Sequence, residues 1–342
     1  MRNVLEPHLS IILFRVSALI IALAIVTVIN LCLGDVCITP EQALHAITDS
    51  KLNDPTLHEI LWQIRMPRIC VAMIVGAALA VSGYILQALS RNSLADPYLT
   101  GVSSGAGLAV AVAMICNVSF SAIPAAAFAG GLVASLIVAS MARGPAGLSV
   151  GRLLLSGVGL SAVCSAFITM LLIHASSVAQ GQGLFFWLAG GIAGRTWSEL
   201  IPAFAYTLAG VVIALAMSKQ IRLLSLGTQS AQALGLDVGR TQWILLAAAV
   251  LMCGAAVSIS GLVGFVGLIA PHLARRLYGQ DERLQIICSA MLGMTLVLVS
   301  DLAARTLGQG QELPLGTLLS LIGGPFFLWL IGSKHGREVL QN

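Results

Sequence analysis

The chain repeatedly runs for about 20 residues with almost no charged side chain, and polar segments separate the runs. A helix of that length crosses the ~30 Å hydrocarbon layer of a bilayer. Inside lipid every backbone amide and carbonyl must be bonded within the protein, so only helices or a closed β-barrel can span it. A barrel would need strands of about 10 residues that alternate apolar and polar side chains. The runs here are longer and do not alternate, so the chain is expected to be all-α and polytopic. Composition agrees: 58% of the 342 residues are hydrophobic and 9% charged, against about 25% charged in soluble domains. Many glycines and few aromatics suit helices that approach closely where lipid supplies no drive to associate.

Spans are expected over 11–33, 69–89, 101–116, 123–141, 153–173, 202–217, 243–261, 284–302 and 315–331, while 265–273 is too short to cross alone. That gives about ten helices in a single membrane domain over 1–342. The first run exceeds the apolar core of a cleavable signal and reads as a true span. The polar stretches 34–64 and 175–194 read as connections. Alternating sides along this order puts 13 of the 18 basic residues on one face: Arg2, Arg15, Arg91, Arg143, Arg152, Lys219, Arg222, Arg240, Arg275, Arg276, Arg283, Lys334 and Arg337. Lys51, Arg65, Arg68, Arg195 and Arg305 fall on the other, with most of the acids. The basic bias marks the first face as cytoplasmic, with both termini inside. There is also an internal echo. AALAVSG at 77–83 returns as AAVSISG at 255–261, and each copy precedes a Gly- or Pro-broken stretch ending near LADP (94–97) or IAPH (269–272). The copies would run in opposite directions, as in an inverted repeat of the kind found in transporters.

The longest polar interval of the second half is KQIRLLSLGTQSAQALGLDVGR, 219–240. Returning a chain across a membrane needs only a few residues. This interval is long enough for a short helical hairpin on the membrane surface, with Ala231, Leu234 and Leu236 as an apolar edge. A docking site for a cytoplasmic partner would look like this; an ordinary basic loop is the plainer alternative.

Little in the chain could carry chemistry. Asp301 is the one clear acid within a span, and Arg305 stands one helical turn later as its nearest partner. An acid already neutralised near the outer end argues against the main alternative, a secondary carrier driven by an ion gradient. No GxxxxGK[ST] loop surrounds any lysine, so nucleotide phosphates cannot be cradled in that way and energy must come from another subunit. GVSSG at 101–105 fits GxSxG and would nominate Ser103 as a nucleophile, but it opens an apolar helix, where small residues pack. His174 and His272 flank spans and read as hydrogen-bonding groups at helix ends. The seven cysteines are scattered without metal-ligand spacing and read as free thiols. Neither cofactor, metal nor nucleic acid is expected. Arg65, Arg68 and Arg305 share the outer face and could form a positive pocket for carboxylates of a docking protein, or could anchor their helices at the headgroups.

Six segments together carry a resemblance: QIRMPRICVAMIVGAALAVSGYILQ (63–87), RNSLADPYLTGVSSGAG (91–107), LSLGTQSAQALGLDVG (224–239), GLVGFVGLIAPHLARRLYGQDER (261–283), SDLAAR (300–305) and ELPLGTLLSLIGGPFFLWLI (312–331). They resemble the permease subunits of bacterial ABC importers for ferric siderophores, haem and cobalamin, nearly throughout the chain and in the expected order. The resemblance implies a non-catalytic permease of the inner membrane, paired with an identical or homologous second permease and surrounded by lipid. It implies two cytoplasmic ATPases on the connection between the sixth and seventh spans, at Leu226, Gly227, Ala231, Leu234, Gly235, Leu236 and Arg240. It implies a periplasmic binding protein whose glutamates meet positions resembling Arg65, Arg68 and Arg305. The fifth span would line the pathway, and the cytoplasmic gate would fall on Asn92, Leu94, Val150 and Gly151. Two departures stand out: Ser93 replaces a usual proline, removing a φ lock from the gate loop, and Val150 with Gly151 replaces small hydroxyl residues of some members.

Overall fold

The computed structural model describes residues 6–34, 36–43, 55–144, 147–175, 177–279, 281–308 and 312–332. The helices are α1 (Glu6–Cys32), α2 (Met66–Ser90), α3 (Val102–Ile115), α4 (Ile123–Met141), α5 (Val150–Ile173), α6 (Val178–Ala189), α7 (Trp197–Ala216), α8 (Ser218–Ser225), α9 (Thr228–Ala233), α10 (Val238–Ser260), α11 (Val266–Tyr278), α12 (Glu282–Leu307) and α13 (Leu315–Gly332). Among the described residues, seven helices are long and apolar enough to cross a membrane. α3 and α13 are shorter apolar helices, and α11 is the half-length one expected at 265–273. A two-residue-per-strand hairpin pairs Arg143 with Leu148 before α5.

Two connections are more ordered than their polarity suggested. The end of 34–64 is helical: Pro55–Glu59 leads into a π-helical turn, Ile60–Arg65, and on into α2 without interruption. Pro67 lies just after the π-helical turn inside this continuous stretch and has no amide to donate, so one rung of its ladder is missing there. Within 175–194 lies α6, whose Leu184 and Trp187 are buried. Its cap is Ser177, accepting from the Gln180 amide at 3.2 Å; its glycines hid the apolar half.

α2 and α10 form the centre, with 89% and 78% of their most apolar windows buried, and they carry the two copies of the echo. α2 packs against α12, α10 and α11, while α1 lies outside against α12 with only 6% of its window covered. Close approach at the centre depends on missing side chains. A methyl group added at Gly83 would overlap the Gly267 carbonyl, and one at Gly76 the Gly293 carbonyl. Backbone cannot yield as a side-chain tip can. Gly83→Ala should therefore cost about 3 kcal/mol or more, at the top of the usual overpacking range. The readout is the thermal midpoint of the purified chain in detergent, and a midpoint equal to wild type would refute the packing.

Each copy of the echo is followed by a break, and the two breaks meet. After α2 the chain turns at Arg91 (φ +50°) and passes through the 3₁₀ turn Pro97–Thr100. After α10 it breaks at Gly261 and Phe265. The Tyr98 hydroxyl accepts from the Val263 amide at 2.8 Å and donates to the Val263 carbonyl at 2.9 Å. Irregular backbone at membrane depth is tolerated only where protein satisfies it.

All seven cysteines are free, Cys164, Cys253 and Cys288 buried and Cys37 and Cys116 exposed. GVSSG is packing: a methyl at Gly105 would overlap Ala134 and the Gly130 carbonyl, and the Ser104 hydroxyl donates to Gly101.

Candidate functional site

The charged side chains form separate groups, one around Arg68 and Asp301 and another around Arg222 and Glu282. The end holding Arg15, Arg91, Arg222 and Arg275 is here the inner end, the opposite one the outer end.

At the outer end the three predicted arginines come together around the C-terminus of α1, in unequal roles. Arg65, 5% exposed, donates to the Leu31 and Val36 carbonyls. A cation there meets the negative end of the helix dipole as well as unpaired carbonyls. Arg305 donates to the Leu33 carbonyl at 3.2 Å and to Asn30 Oδ1 at 2.6 Å, and its Nε lies 3.3 Å from Asp301 Oδ2. Arg68 also holds Asp301, Nε 3.1 Å from both carboxylate oxygens and Nη2 2.9 Å from Oδ1. Its Nη1 donates to Glu312 Oε1 at 2.6 Å. Asp301 thus has the neighbour expected, Arg305, and a closer one from α2. Its side chain is 2% exposed, and a carboxylate so placed persists because two guanidinium groups flank it.

Sequence reasoning missed Asn30 and Glu312 here. Asn30 is fully buried and also donates to Val26 at 2.9 Å and Leu298 at 3.3 Å. A lone amide inside an apolar run was the available signal.

At the inner end, 219–240 does form a helical hairpin. α8 and α9 are joined through Gly227 at φ +107°, Gly235 turns at φ +83°, and Asp237 Oδ1 caps α10 by accepting from the Arg240 amide at 3.0 Å. Leu226 and Leu234 are 60% and 62% exposed, an unusual display for leucines on a polar hairpin. Ala231, expected on that outward edge, is fully buried against the bundle, because the same helix needs one face to sit on. Leu236 is half-buried and Arg240 exposed.

Beside the hairpin opens a cleft of about 870 Å³, lined by Arg91, Asn92, Ser93, Arg222, Leu226 and Arg275 among others. Arg275 donates to Gln87 Oε1 and lies 5.8 Å from the Tyr84 ring centre. Arg222 stands 3.7 Å from Glu282. The cleft unites the hairpin with the loop that carries Asn92 and Leu94. That loop, without the proline, is held by Asn92: its Oδ1 accepts from the Leu94 amide at 2.9 Å, and its carbonyl from the Ala95 amide at 3.1 Å. Leu94 lines a small cavity together with Phe265, Leu268 and Phe326. Val150 and Gly151 open α5 after Ser149, and among the described residues nothing lies within 4 Å of a methyl group added at Gly151. From Gly151 an exposed stripe climbs α5 through Leu155, Val158, Ala162, Ser165 and Thr169, spaced three and four residues apart so that it shares one face.

A closely packed body with seven membrane-length apolar helices among the described residues defines a polytopic membrane protein. The chain belongs to the FecCD transport family, whose family model matches residues 22–333. It is 38% identical over 296 residues to the hemin transport system permease protein HmuU of Yersinia pestis, covering 84% of this chain and 87% of that one. The vitamin B12 import system permease protein BtuC of Vibrio vulnificus is 36% identical over 326 residues, covering 93% and 95%. A solved inward-facing structure assigned to the metal-chelate type of ABC transporter superposes with a TM-score of 0.81 at 31% identity, covering 92% of this chain and 97% of that one. The chain is therefore a multi-pass permease of the ABC importer class.

Proposed function

We propose that this permease forms half of an ATP-driven importer that carries a metal chelate, a ferric siderophore in our reading, from periplasm to cytoplasm across the inner membrane. Haem and cobalamin are the neighbouring choices, being the cargo in the names of its relatives. The observation that carries the reading is the pair of exposed leucines, Leu226 and Leu234, on a hairpin beside a basic cleft. Exposed apolar anchors ringed by polar side chains are what a partner protein seats on; here that partner is the ATPase. Leu226, Gly227, Leu234, Gly235, Leu236 and Arg240 make up this seat, with Ala231 buried beneath them as its support. The stripe on α5 is the wall of the pathway, closed by an identical or homologous second permease, and Asn92, Leu94, Val150 and Gly151 guard its inner opening. Arg68, supported by Arg65 and Arg305, receives an acidic binding protein at the outer end. Both termini then lie in the cytoplasm; they are outside the described residues, as are Arg2, Lys51, Lys334 and Arg337.

The test is reconstitution into liposomes with the ATPase and binding protein. Uptake of radiolabelled ferric siderophore should require ATP inside, and the chain alone should hydrolyse none. Transport driven by a proton or sodium gradient without ATP would overturn the reading. Faster uptake of labelled haem or cobalamin would move the cargo within it.

A further inference from the structure

Arg68 is held by two acids that differ in kind. Asp301 is 2% exposed and is shared with Arg305, so it is fixed in the bundle. Glu312 is 48% exposed, comes from the segment that leads into α13, and touches Arg68 through a single oxygen at 2.6 Å. Arg65 and Arg305 donate to carbonyls of the α1 terminus and to Asn30, groups that belong to the bundle itself. Among the described residues, Arg68–Glu312 is therefore the ion pair of this cluster with one exposed member. Glu312 also lines an adjoining cleft of about 380 Å³ together with Arg195, which is itself paired with Glu199 at 3.3 Å, so Glu312 has open space to turn into.

We propose that Glu312 is an internal placeholder for a partner's carboxylate on Arg68, so that an acidic protein docks by exchanging with it. This rests on the reading of the outer end as the seat of an acidic binding protein. In the undocked permease Glu312 keeps the Nη1 side of a mostly buried guanidinium satisfied, which a bare cation at a protein mouth would lack. Because Glu312 is tethered, an incoming carboxylate competes with an intramolecular one at high effective concentration. Weak or stray anions then fail, while a protein that brings further contacts succeeds. The placeholder raises specificity at the expense of affinity.

The experiment uses the assembled importer in nanodiscs and its cognate periplasmic binding protein, with affinity and release rate measured on a biosensor. Arg68→Gln should weaken docking by roughly tenfold or more. Glu312→Gln, which removes the competing charge, should strengthen it by roughly three- to tenfold. Glu312→Asp, too short to reach Nη1 as well, should fall between wild type and Glu312→Gln and serves if the glutamine variant does not fold. In the Arg68→Gln background Glu312→Gln should add nothing. If Arg68→Gln weakens docking but Glu312→Gln leaves it unchanged or weaker, Glu312 merely positions Arg68 and the placeholder is wrong. Should Arg68→Gln have no effect, the docking reading itself fails and the placeholder with it.

Discussion

Replacing Leu226 and Leu234 together by aspartate is expected to strip the ATPase from the permease and abolish ATP-driven uptake. Both side chains are about 60% exposed in the isolated chain, so the substitution should leave the fold intact. In the complex they would be buried, and truncating an interface anchor typically costs 2–4 kcal/mol. Aspartate adds a desolvated charge, so a loss of roughly 100-fold or more in ATPase affinity is expected from about 3 kcal/mol. Co-purification of a tagged permease with its ATPase checks the first part, and uptake in vesicles the second. The same change at the buried Ala231 would unfold the hairpin instead, and so would say nothing about docking. Normal uptake by the double variant would remove the hairpin from the mechanism.

The second large effect concerns Asp301. Removing its carboxylate by Asp301→Ala takes away the acid that Arg68 and Arg305 share, both guanidinium groups being largely buried. Breaking a buried pair by removing one partner costs about 3–5 kcal/mol; Glu312 still faces Arg68 and Asn30 still faces Arg305, so a loss near the lower end, about 3 kcal/mol, is expected. A steep fall in thermal midpoint and in the yield of monodisperse protein is expected, with Asp301→Asn milder because it keeps a hydrogen-bond acceptor. A residue that worked as an ion-coupling site would behave otherwise: Asp301→Asn would be as stable as wild type yet dead in transport. Measuring stability and uptake on the same preparation separates the two.

Helix positions were legible in the sequence because a span is long, continuous and nearly free of charge. The runs 123–141 and 153–173 match α4 and α5 to within a few residues. What failed was polarity used as a sign of irregularity. Ser177 and the glycines of 175–194 diluted the apolar half of α6, and the charges near 55–65 hid a helix whose length exceeds the bilayer. The hairpin at 219–240 was readable from its length, but which side of it faces outward was not. A six-residue helix such as α9 carries too few side chains to define an apolar face. The outer cluster shows the harder limit. Arg305 and Asp301 are one helical turn apart and pair visibly in the sequence, whereas Arg68 reaches Asp301 across 233 positions. Only folding reveals that contact, and with it the unequal standing of the three arginines.

The clasp between Tyr98 and Val263 carries a consequence for how such a body can move. One phenol performs the service that water gives a broken backbone elsewhere, and hydrocarbon offers no substitute. The two interrupted segments are therefore coupled like the leaves of a hinge around a common pin, free to swing but not to part. Rocking between states should thus preserve this bond while contacts nearer either surface are remade.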